Sequence, residues 1–375
     1  MKHPLLSIRG DVVNGAVQLR AFFEDGPYQE LLNGTPQTVV VYRREVDFVF
    51  GRNRAEFFDG LRPTPEDEYL RLTISNPIRK VEVCDRSVTV GSTYCYWMGT
   101  DASDNVPTGP VPVKVRHPEV WWSHEKLQGA LSQLASTHPD LVQYQTAGTT
   151  RLGREIPAVK IGKGPVCIAL VGLIHAGEAG TELIVPILEQ FLAHDRELLS
   201  QSSLLALPVV NADERERMAK GYPAYLRKNA SGVDLNRNFP AQWEEVSDMY
   251  GLDSSDPDSA TYRGPHAASE PETRAVMETL SQHPPKVTFS FHCLASICSP
   301  RFLAPAMAKE DASYQEQSRR IVEAYRRGYY GQLPPGEISY QCSSGSLPAW
   351  LYQEYATPAF DLEWDYDEST RPCLT

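Results

Sequence analysis

The sequence predicts two domains: an all-β sandwich over residues 1–115 and an α/β domain over residues 116–375. The first prediction rests on short apolar and β-branched runs that turn residues separate, without a convincing helical period between them. The second rests on longer apolar runs that alternate with helical patterns. Such alternation is typical of a mixed, mostly parallel sheet with helices on both faces. The boundary is expected near Pro110–His117, where prolines recur.

The N-terminal segment is predicted to consist of strands. The runs that indicate them are Ala16–Phe23, Thr38–Arg43, Leu70–Ile74, Val81–Val83, Val88–Val90, Thr93–Met98 and Val111–Val115. Tyr94 stands where a fibronectin type III sandwich carries its tyrosine corner. The segment therefore resembles that kind of domain, although another small β-sandwich would fit the same pattern, and nothing in it carries catalytic chemistry.

The C-terminal segment alternates between helix and strand. Ser123 is expected to cap a helix over Glu125–Ala135, and Val166–Ile174 is a continuous apolar run, as in a strand buried on both faces. The other predicted helices are Thr181–Ala193, Pro271–Leu280, Tyr314–Tyr325 and Leu347–Tyr355. The other predicted strands are Leu204–Val210, Lys286–Phe291 and Ala359–Glu363.

The composition of the chain argues against nucleic-acid and membrane partners and favours a reducing compartment. The 36 Lys and Arg against 48 Asp and Glu give a formal net charge of −12, which argues against a broad surface for nucleic acid or an anionic membrane. The longest apolar stretch falls short of the ~20 residues of a membrane helix. Charges at Arg9 and Asp11 interrupt any signal-peptide pattern. Seven irregularly spaced cysteines without a Cys-x-x-Cys pair favour a reducing cytoplasm over a disulfide scaffold or a zinc-thiolate site.

The strand at Val166–Ile174 is followed at once by His175 and, three residues later, by Glu178. In open α/β sheets, ligand sites lie just beyond the carboxyl ends of the strands. An imidazole and a carboxylate at this spacing can ligate one Zn²⁺, although a single His-x-x-Glu pair also occurs by chance in many chains. His292 ends another predicted strand and completes a His₂Glu set, which leaves a fourth zinc position open for water.

Two later segments carry polar side chains suited to binding and to acid–base chemistry. In the run Leu226–Pro240, Arg227 and Arg237 can grip a carboxylate or stabilise negative charge that develops on an oxygen. Asn236 can add a further hydrogen bond, although the same run would also suit a solvated polar loop. Glu363 ends the last predicted strand, where burial can raise the pKa of a carboxyl group and make it a general base.

Together and in this order, these elements resemble the zinc carboxypeptidase family of the carboxypeptidase A/B type. The resembling motifs are His-x-x-Glu, then Gly-Val-Asp-x-Asn-Arg-Asn, then a strand ending in His and a strand ending in Glu. The resemblance covers residues 117–365 and includes Gly153–Pro157, which looks like the family's usual hairpin. Within the family, the compact run Leu226–Pro240 looks most similar to the bacterial murein peptide amidases, although the residues after His292 lack the proline of those enzymes.

The resemblance implies a metal site and a base. One Zn²⁺ per chain would be bound by His175, Glu178 and His292. Asp234 would accept a hydrogen bond from His175 and so fix its tautomer. Glu363 would take a proton from the zinc-activated water and return it to the leaving amine.

The resemblance also implies how substrate is held. Arg227 would stabilise the oxyanion, and Asn236 with Arg237 would clamp the free C-terminal carboxylate of a peptide. Tyr340 matches the family's mobile tyrosine that caps the substrate. The pocket for the side chain is expected near residues 294–300 and 342–350.

The predicted function is a zinc-dependent metallocarboxypeptidase that hydrolyses a C-terminal amide bond of peptides. A narrower substrate is the γ-D-glutamyl–diaminopimelate bond of murein peptides, in keeping with a cytoplasmic recycling enzyme, although apolar Leu347 near the selecting position weighs against it. One alternative is a zinc deacylase of N-acyl amino acids, which Asn238 and the separate Arg227 fit less well. Another is a catalytically inert binding protein, which the filled catalytic positions disfavour.

Overall fold

The computed structural model describes residues 3–48, 54–101, 106–178, 180–244, 254–292, 301–328 and 338–363. The chain divides into two compact units. The first is the chain up to Trp121 together with Arg217–Tyr225, and the second is Trp122–Glu216 together with the chain from Leu226 onwards. The domain boundary after residue 115 remains a prediction.

The N-terminal unit contains two antiparallel sheets, of three and four strands. Its strands are β1 (Leu5–Val13), β2 (Ala16–Phe23), β3 (Gln37–Val46), β4 (Glu68–Ile74), β5 (Lys80–Asp85), β6 (Thr93–Thr100) and β7 (Thr108–Lys114). The strand orders are β1-β2-β5 and β4-β3-β6-β7. One apolar cluster takes residues from both sheets, such as Leu19, Val39 and Tyr96, so the two sheets pack face to face.

Two helices and one loop in this unit differ from the sequence prediction. Helices α1 (Asp25–Leu32) and α2 (Arg54–Phe58) occur where no helix was expected. Helix α1 escapes detection because Leu31 is its one buried residue, which leaves almost no apolar period. Val88–Val90 is not a strand. It lies in the corner before β6, where the hydroxyl of Tyr94 accepts a hydrogen bond from the amide of Thr89 at 3.1 Å, as in a tyrosine corner. The fibronectin type III resemblance itself remains a prediction.

A buried carboxylate, Asp85, ties the two sheets of this unit together. It accepts hydrogen bonds from the hydroxyls of Tyr69 at 2.8 Å and Tyr96 at 2.9 Å, from Arg43 at 3.0 Å and from the amide of Ser87 at 2.9 Å. Burial alone would raise the pKa of Asp85, but these hydrogen bonds lower it below its usual value. Asp85 is therefore an anion at the centre of a satisfied polar network.

The C-terminal unit contains one mixed sheet of eight strands with the order β14-β13-β15-β12-β10-β11-β9-β8. Its strands are β8 (Val142–Thr149), β9 (Glu155–Ile161), β10 (Val166–Gly172), β11 (Ser202–Leu207), β12 (Val287–His292), β13 (Arg301–Pro305), β14 (Ile338–Cys342) and β15 (Ala359–Glu363). Its helices are α3 (His124–Thr137), α4 (Thr181–His194), α5 (Ala212–Ala219), α6 (Pro271–Gln282), α7 (Ala312–Gly328) and α8 (Leu347–Tyr355). The last residues of α5, from Arg217 to Ala219, belong to the segment Arg217–Tyr225 of the first unit. The predicted N-cap of α3 is confirmed, because Ser123 accepts a hydrogen bond from the amide of Lys126.

Helices cover both faces of this sheet, as predicted. Along β10, Leu170 belongs to one apolar core, whereas Ala169 and Val171 belong to a second core. Because successive side chains of a strand point to opposite faces, the two cores lie on opposite sides of the sheet. Helices α4 and α7 contribute to the first core, and helices α6 and α8 contribute to the second.

Three parallel strands bring the predicted site residues to one edge of the sheet. Strand β12 pairs with β10 on one side and with β15 on the other, and both pairs are parallel. The register sets His292 directly opposite Glu363. Because the carboxyl ends of parallel strands meet at the same edge, His175, which follows β10, reaches the same place.

Among the described helices, none is both long and apolar enough to cross a bilayer.

Candidate active site

His175, Glu178 and His292 converge on one point beyond β10 and β12. Nδ1 of His175 lies 2.9 Å from Oε1 of Glu178, and Nδ1 of His292 lies 2.8 Å from Oε2 of the same carboxylate. All three side chains are buried. One ligand atom from each lies within 4.8 Å of the others, and this is the single such group of histidine, cysteine and carboxylate side chains in the described residues.

This donor set fits zinc. Two imidazole nitrogens and one carboxylate are the ligands of catalytic zinc sites that leave a fourth position open. Both histidines turn the same nitrogen, Nδ1, towards Glu178. The other nitrogen of each ring faces a different carboxylate, which is the arrangement that orients metal-binding histidines in proteins.

The electrostatics of Glu178 also suit a cation. Burial alone would raise the pKa of Glu178, but the neighbouring charges of His175 and His292 lower it well below its usual value. The carboxylate is therefore ionised and ready to bind a metal ion. A metal ion bound between Glu178 and the two imidazoles would replace any proton on Nδ1 of each ring.

Asp234 connects His175 to Arg227. Its Oδ1 lies 3.1 Å from Nε2 of His175, and its Oδ2 accepts a hydrogen bond from Nε of Arg227 at 2.8 Å. Burial alone would raise the pKa of Asp234, but the charges of Arg227 and His175 lower it far below the usual range. Asp234 therefore remains an anion that fixes an imidazole on one side and a guanidinium on the other.

Asn236 and Arg237 line the same pocket as His175 and His292. The side-chain amide of Asn236 donates to Oδ2 of Asp361 at 2.9 Å, and its oxygen accepts from the amide of Leu347 at 3.0 Å. Nη1 of Arg237 donates to the carbonyl oxygen of Asn236 at 2.9 Å. Both side chains are therefore held in place before any ligand arrives.

Gly345 lies close to the backbone of Arg237, and its lack of a side chain allows this approach. Its φ of +69° is a conformation that favours glycine, and a Cβ there would lie 2.3 Å from the carbonyl oxygen of Arg237. Its amide donates to Ala241 and its carbonyl accepts from Phe239. The loop before α8 thus lies directly against the segment that carries the predicted clamp.

Glu363 ends β15 beside the metal-binding residues and is buried. Burial, with the negative charges of Glu178 and Asp361, raises the pKa of Glu363 to about 8, although His292 lowers it. A divalent cation at the neighbouring site would lower this pKa and favour the ionised form. In the described residues, Oε2 of Glu363 has no hydrogen-bond partner, and the side chain lines the pocket.

The structure does not bring every predicted residue into the pocket. Tyr340 lies in β14 and packs against an apolar core, whereas the next residues, Gln341 and Cys342, line the pocket. Leu347 is buried in the other core. The expected pocket segment at residues 294–300 lies outside the described residues. The proposed roles of these side chains remain predictions.

Sequence reasoning missed several residues that line the pocket or contact His292. They are Ser290, Leu303, Gln341 and Asp361. Ser343 lies within the predicted segment 342–350. For Asp361 a signal existed, because it precedes Glu363 by two residues in one strand. Side chains at that spacing point to the same face.

Comparisons with known proteins agree with this geometry. Carboxypeptidase B of Bos taurus is 32% identical over 262 residues, which cover 64% of this chain and 61% of the bovine protein. The chain thus spans about three fifths of that relative's length. The solved structure of carboxypeptidase A from Helicoverpa armigera covers 88% of both chains at 16% identity, with a TM-score of 0.57. Murein-tripeptide amidase MpaA from Escherichia coli O157 covers 62% of this chain and 88% of its own at 20% identity, but its TM-score of 0.34 is too low to support an argument.

The family profile described as zinc carboxypeptidase matches residues 127–371, which is more than half of the chain. That range includes His175, Glu178, His292, Asp234 and Glu363. The match, the buried His₂Glu set and the shared fold lead to one conclusion: the chain belongs to the zinc carboxypeptidase family, a family of peptide hydrolases.

Proposed function

We propose that this protein is a zinc-dependent carboxypeptidase that removes the C-terminal unit of a peptide. One observation carries the proposal. The two histidines of a His₂Glu set, a buried carboxyl group with a raised pKa and an Asn-Arg pair line a single pocket, and the glutamate of the set lies within reach of both histidines. Hydrolysis needs the first two features, and recognition of a free C-terminal carboxylate needs the third.

Zinc, when bound by His175, Glu178 and His292, supplies a Lewis acid that activates water and polarises the substrate carbonyl. Glu363 accepts the proton from the attacking water and passes it to the nitrogen of the leaving amine. Its position opposite His292 in the strand register supports this role. Burial and the neighbouring carboxylates raise the pKa of Glu363, as suits a group that both takes and gives a proton.

Two arginines share the negative charges of the substrate. Arg227, held by Asp234 at 2.8 Å, supports the oxygen of the scissile carbonyl as charge develops there. Asn236 and Arg237 bind the terminal carboxylate, for which the planar guanidinium is well suited. With Arg227 at the scissile carbonyl and Arg237 at the terminal carboxylate, the bond that is cleaved is the last amide bond of the peptide.

The walls of the pocket carry both polar and apolar side chains. Gln341 and Ser343 can hydrogen-bond to a substrate, whereas Leu303 is apolar. Both oxygens of Asp361 face partners within the chain, His292 and Asn236, before a substrate arrives. The narrower substrate that we propose is a murein peptide that ends in diaminopimelate, and the compact Leu226–Pro240 run supports it.

The proposed compartment is the cytoplasm. In the described residues Cys84, Cys167 and Cys342 are free thiols, which is in keeping with a reducing environment. The assays of this function use the whole chain and therefore include the N-terminal β unit.

The test is to incubate the zinc-loaded protein with three substrate classes and to identify the products by mass spectrometry. The classes are a panel of free-acid peptides, a murein tripeptide with its γ-D-glutamyl–diaminopimelate bond, and N-acetyl and N-succinyl amino acids. We expect release of single C-terminal residues from the peptides, and loss of that release after chelation with recovery on adding zinc.

Each other outcome has a defined meaning. Release from the murein tripeptide alone would establish the narrower substrate. Hydrolysis of N-acyl amino acids without release of peptide C-termini would replace the proposal with a deacylase. No hydrolysis of any class by a protein that contains stoichiometric zinc would favour an inert binding protein.

A further inference from the structure

Each of the two metal-binding histidines is backed by a carboxylate that also holds a residue of the proposed substrate site. Nε2 of His175 faces Asp234, whose other oxygen accepts from Arg227 at 2.8 Å. Nε2 of His292 lies 3.2 Å from Oδ1 of Asp361. The other oxygen of that carboxylate accepts from Asn236 at 2.9 Å. The two arrangements are parallel, although they come from different parts of the chain.

We propose that Asp361 is a positioning residue that couples the metal site to recognition of the substrate carboxylate. Through Oδ1 it orients the imidazole of His292, and through Oδ2 it sets the rotation of the Asn236 amide. The second role rests on the proposed carboxypeptidase function, whereas the first concerns metal binding alone.

The metal-facing side of the proposal follows from which nitrogen each partner meets. Nδ1 of His292 points to Glu178 and is the nitrogen that a metal would take. The proton of the neutral ring then lies on Nε2, which needs an acceptor because His292 is buried. The hydroxyl of Ser290 lies 2.9 Å from Nε2. Oδ1 of Asp361 lies 3.2 Å from the same nitrogen, and among the described residues this oxygen has no aligned hydrogen bond to another group, so it can accept the proton.

The substrate-facing side follows from the fixed amide of Asn236. Its oxygen accepts from the amide of Leu347, and one of its two N–H groups donates to Asp361. Both ends of the amide are therefore defined, so the second N–H has a set direction, and Asn236 lines the pocket. Without Asp361 the amide would lose one of the two contacts that orient it. The thiol of Cys342, 3.6 Å from Oδ2, is a weaker partner of the same carboxylate.

The experiment compares Asp361→Asn and Asp361→Ala in the full chain with Ser290→Ala as a matched control. An asparagine at this position has one oxygen and can serve only one of the two partners, whereas an alanine serves neither. Ser290→Ala removes a neighbour of the same imidazole nitrogen without touching Asn236. The readouts are the zinc dissociation constant by chelator competition, and KM and kcat for a free-acid peptide and its C-terminal amide with zinc saturating.

We expect Asp361→Ala to weaken zinc binding by about 10-fold or more, as loss of a partner behind a metal-binding histidine does. We also expect it to raise KM for the free-acid peptide by about 10-fold and to leave KM for the amide nearly unchanged. Ser290→Ala should weaken zinc binding without changing KM. In an Asn236→Ala background, Asp361→Ala should raise KM no further, because the residue it orients is already gone.

Zinc affinity and KM that both stay within about twofold of wild type in folded Asp361→Ala and Asp361→Asn would overturn the proposal. A KM effect that adds fully to that of Asn236→Ala would overturn the substrate-facing half. If the wild-type protein cleaves no peptide, the proposed function fails, and the zinc dissociation constants still decide whether Asp361 orients His292.

Discussion

Arg237 and Asn236 are neighbours in the chain, and the guanidinium of the first donates to the carbonyl of the second at 2.9 Å. The contact anchors a buried arginine at the pocket wall. We expect Arg237→Ala to lower kcat/KM for free-acid peptides, because a charge-assisted contact to the carboxylate is lost. The expected loss of transition-state binding is about 2–4 kcal/mol. The measurement is steady-state kinetics on free-acid and amidated peptides, with zinc content as the control. Wild-type activity that is equal on the two forms would exclude this role.

Glu178 predicts how zinc is retained. Each of its oxygens faces Nδ1 of a different histidine, so Glu178→Gln removes a charge and turns an N–H₂ group towards one of the two ligands. We expect zinc affinity to fall by more than about 100-fold, beyond the loss typical of residues behind the ligands. Metal content after dialysis measures it. Glu316→Gln is the matched control, because Glu316 is exposed and pairs with Arg319 on α7. Full zinc retention by Glu178→Gln would contradict the site.

The raised pKa of Glu363 predicts how the stability of the zinc-free protein depends on pH. Burial and the neighbouring negative charges raise this pKa to about 8, against ~4.3 for an unfolded chain. The folded state therefore holds the proton more tightly. The stabilisation is complete below the unfolded pKa and is lost as the pH rises towards about 8.

Glu363→Gln does not titrate at this position, so we expect the variant to gain stability relative to wild type as the pH rises from about 5 to about 8. Urea unfolding of both zinc-free proteins across this range provides the free energies. Parallel curves for the two proteins would show that Glu363 has an ordinary pKa. The zinc-loaded variant should keep its metal and lose about 10²–10⁴-fold in kcat.

Asp85 predicts the stability of the N-terminal unit. Asp85→Ala leaves the hydroxyls of Tyr69 and Tyr96 without their buried acceptor, and we expect a loss on the order of 3 kcal/mol in the free energy of unfolding. Thermal and urea unfolding measure it. Arg71→Ala, which removes an exposed ion pair with Glu68, should change stability little. Equal effects of the two substitutions would contradict the network.

The metal site was the most predictable part of the molecule, because its residues sit at strand ends. His175 follows the apolar run Val166–Ile174, His292 ends a segment in which apolar and polar residues alternate, and the structure places both at the predicted edge. Asp361 lies in the same predicted strand as Glu363 and was still missed. A carboxylate beside a base is usually a solvated strand charge, and its partner Asn236 is 125 residues away.

The fold was predictable where apolar period and length agree. The bounds of β2, β15 and α8 coincide with the predicted runs. Strand β1, helices α1 and α5 and strands β13 and β14 were not predicted. Helix α1 buries one side chain and most of β14 is only half-buried, so neither carries a strong apolar pattern. Short elements are set by tertiary pairing more than by local sequence.

The direct opposition of His292 and Glu363 across β12 and β15 has a consequence for how this chain tolerates change in length. The distance between a metal ligand and the proposed base is set by two adjacent strands and not by the chain that joins them. Insertions and deletions between residues 293 and 358 that preserve the pairing should therefore leave the spacing of the chemistry intact. The same segment can then diverge to recognise new substrates while the hydrolytic centre keeps its dimensions.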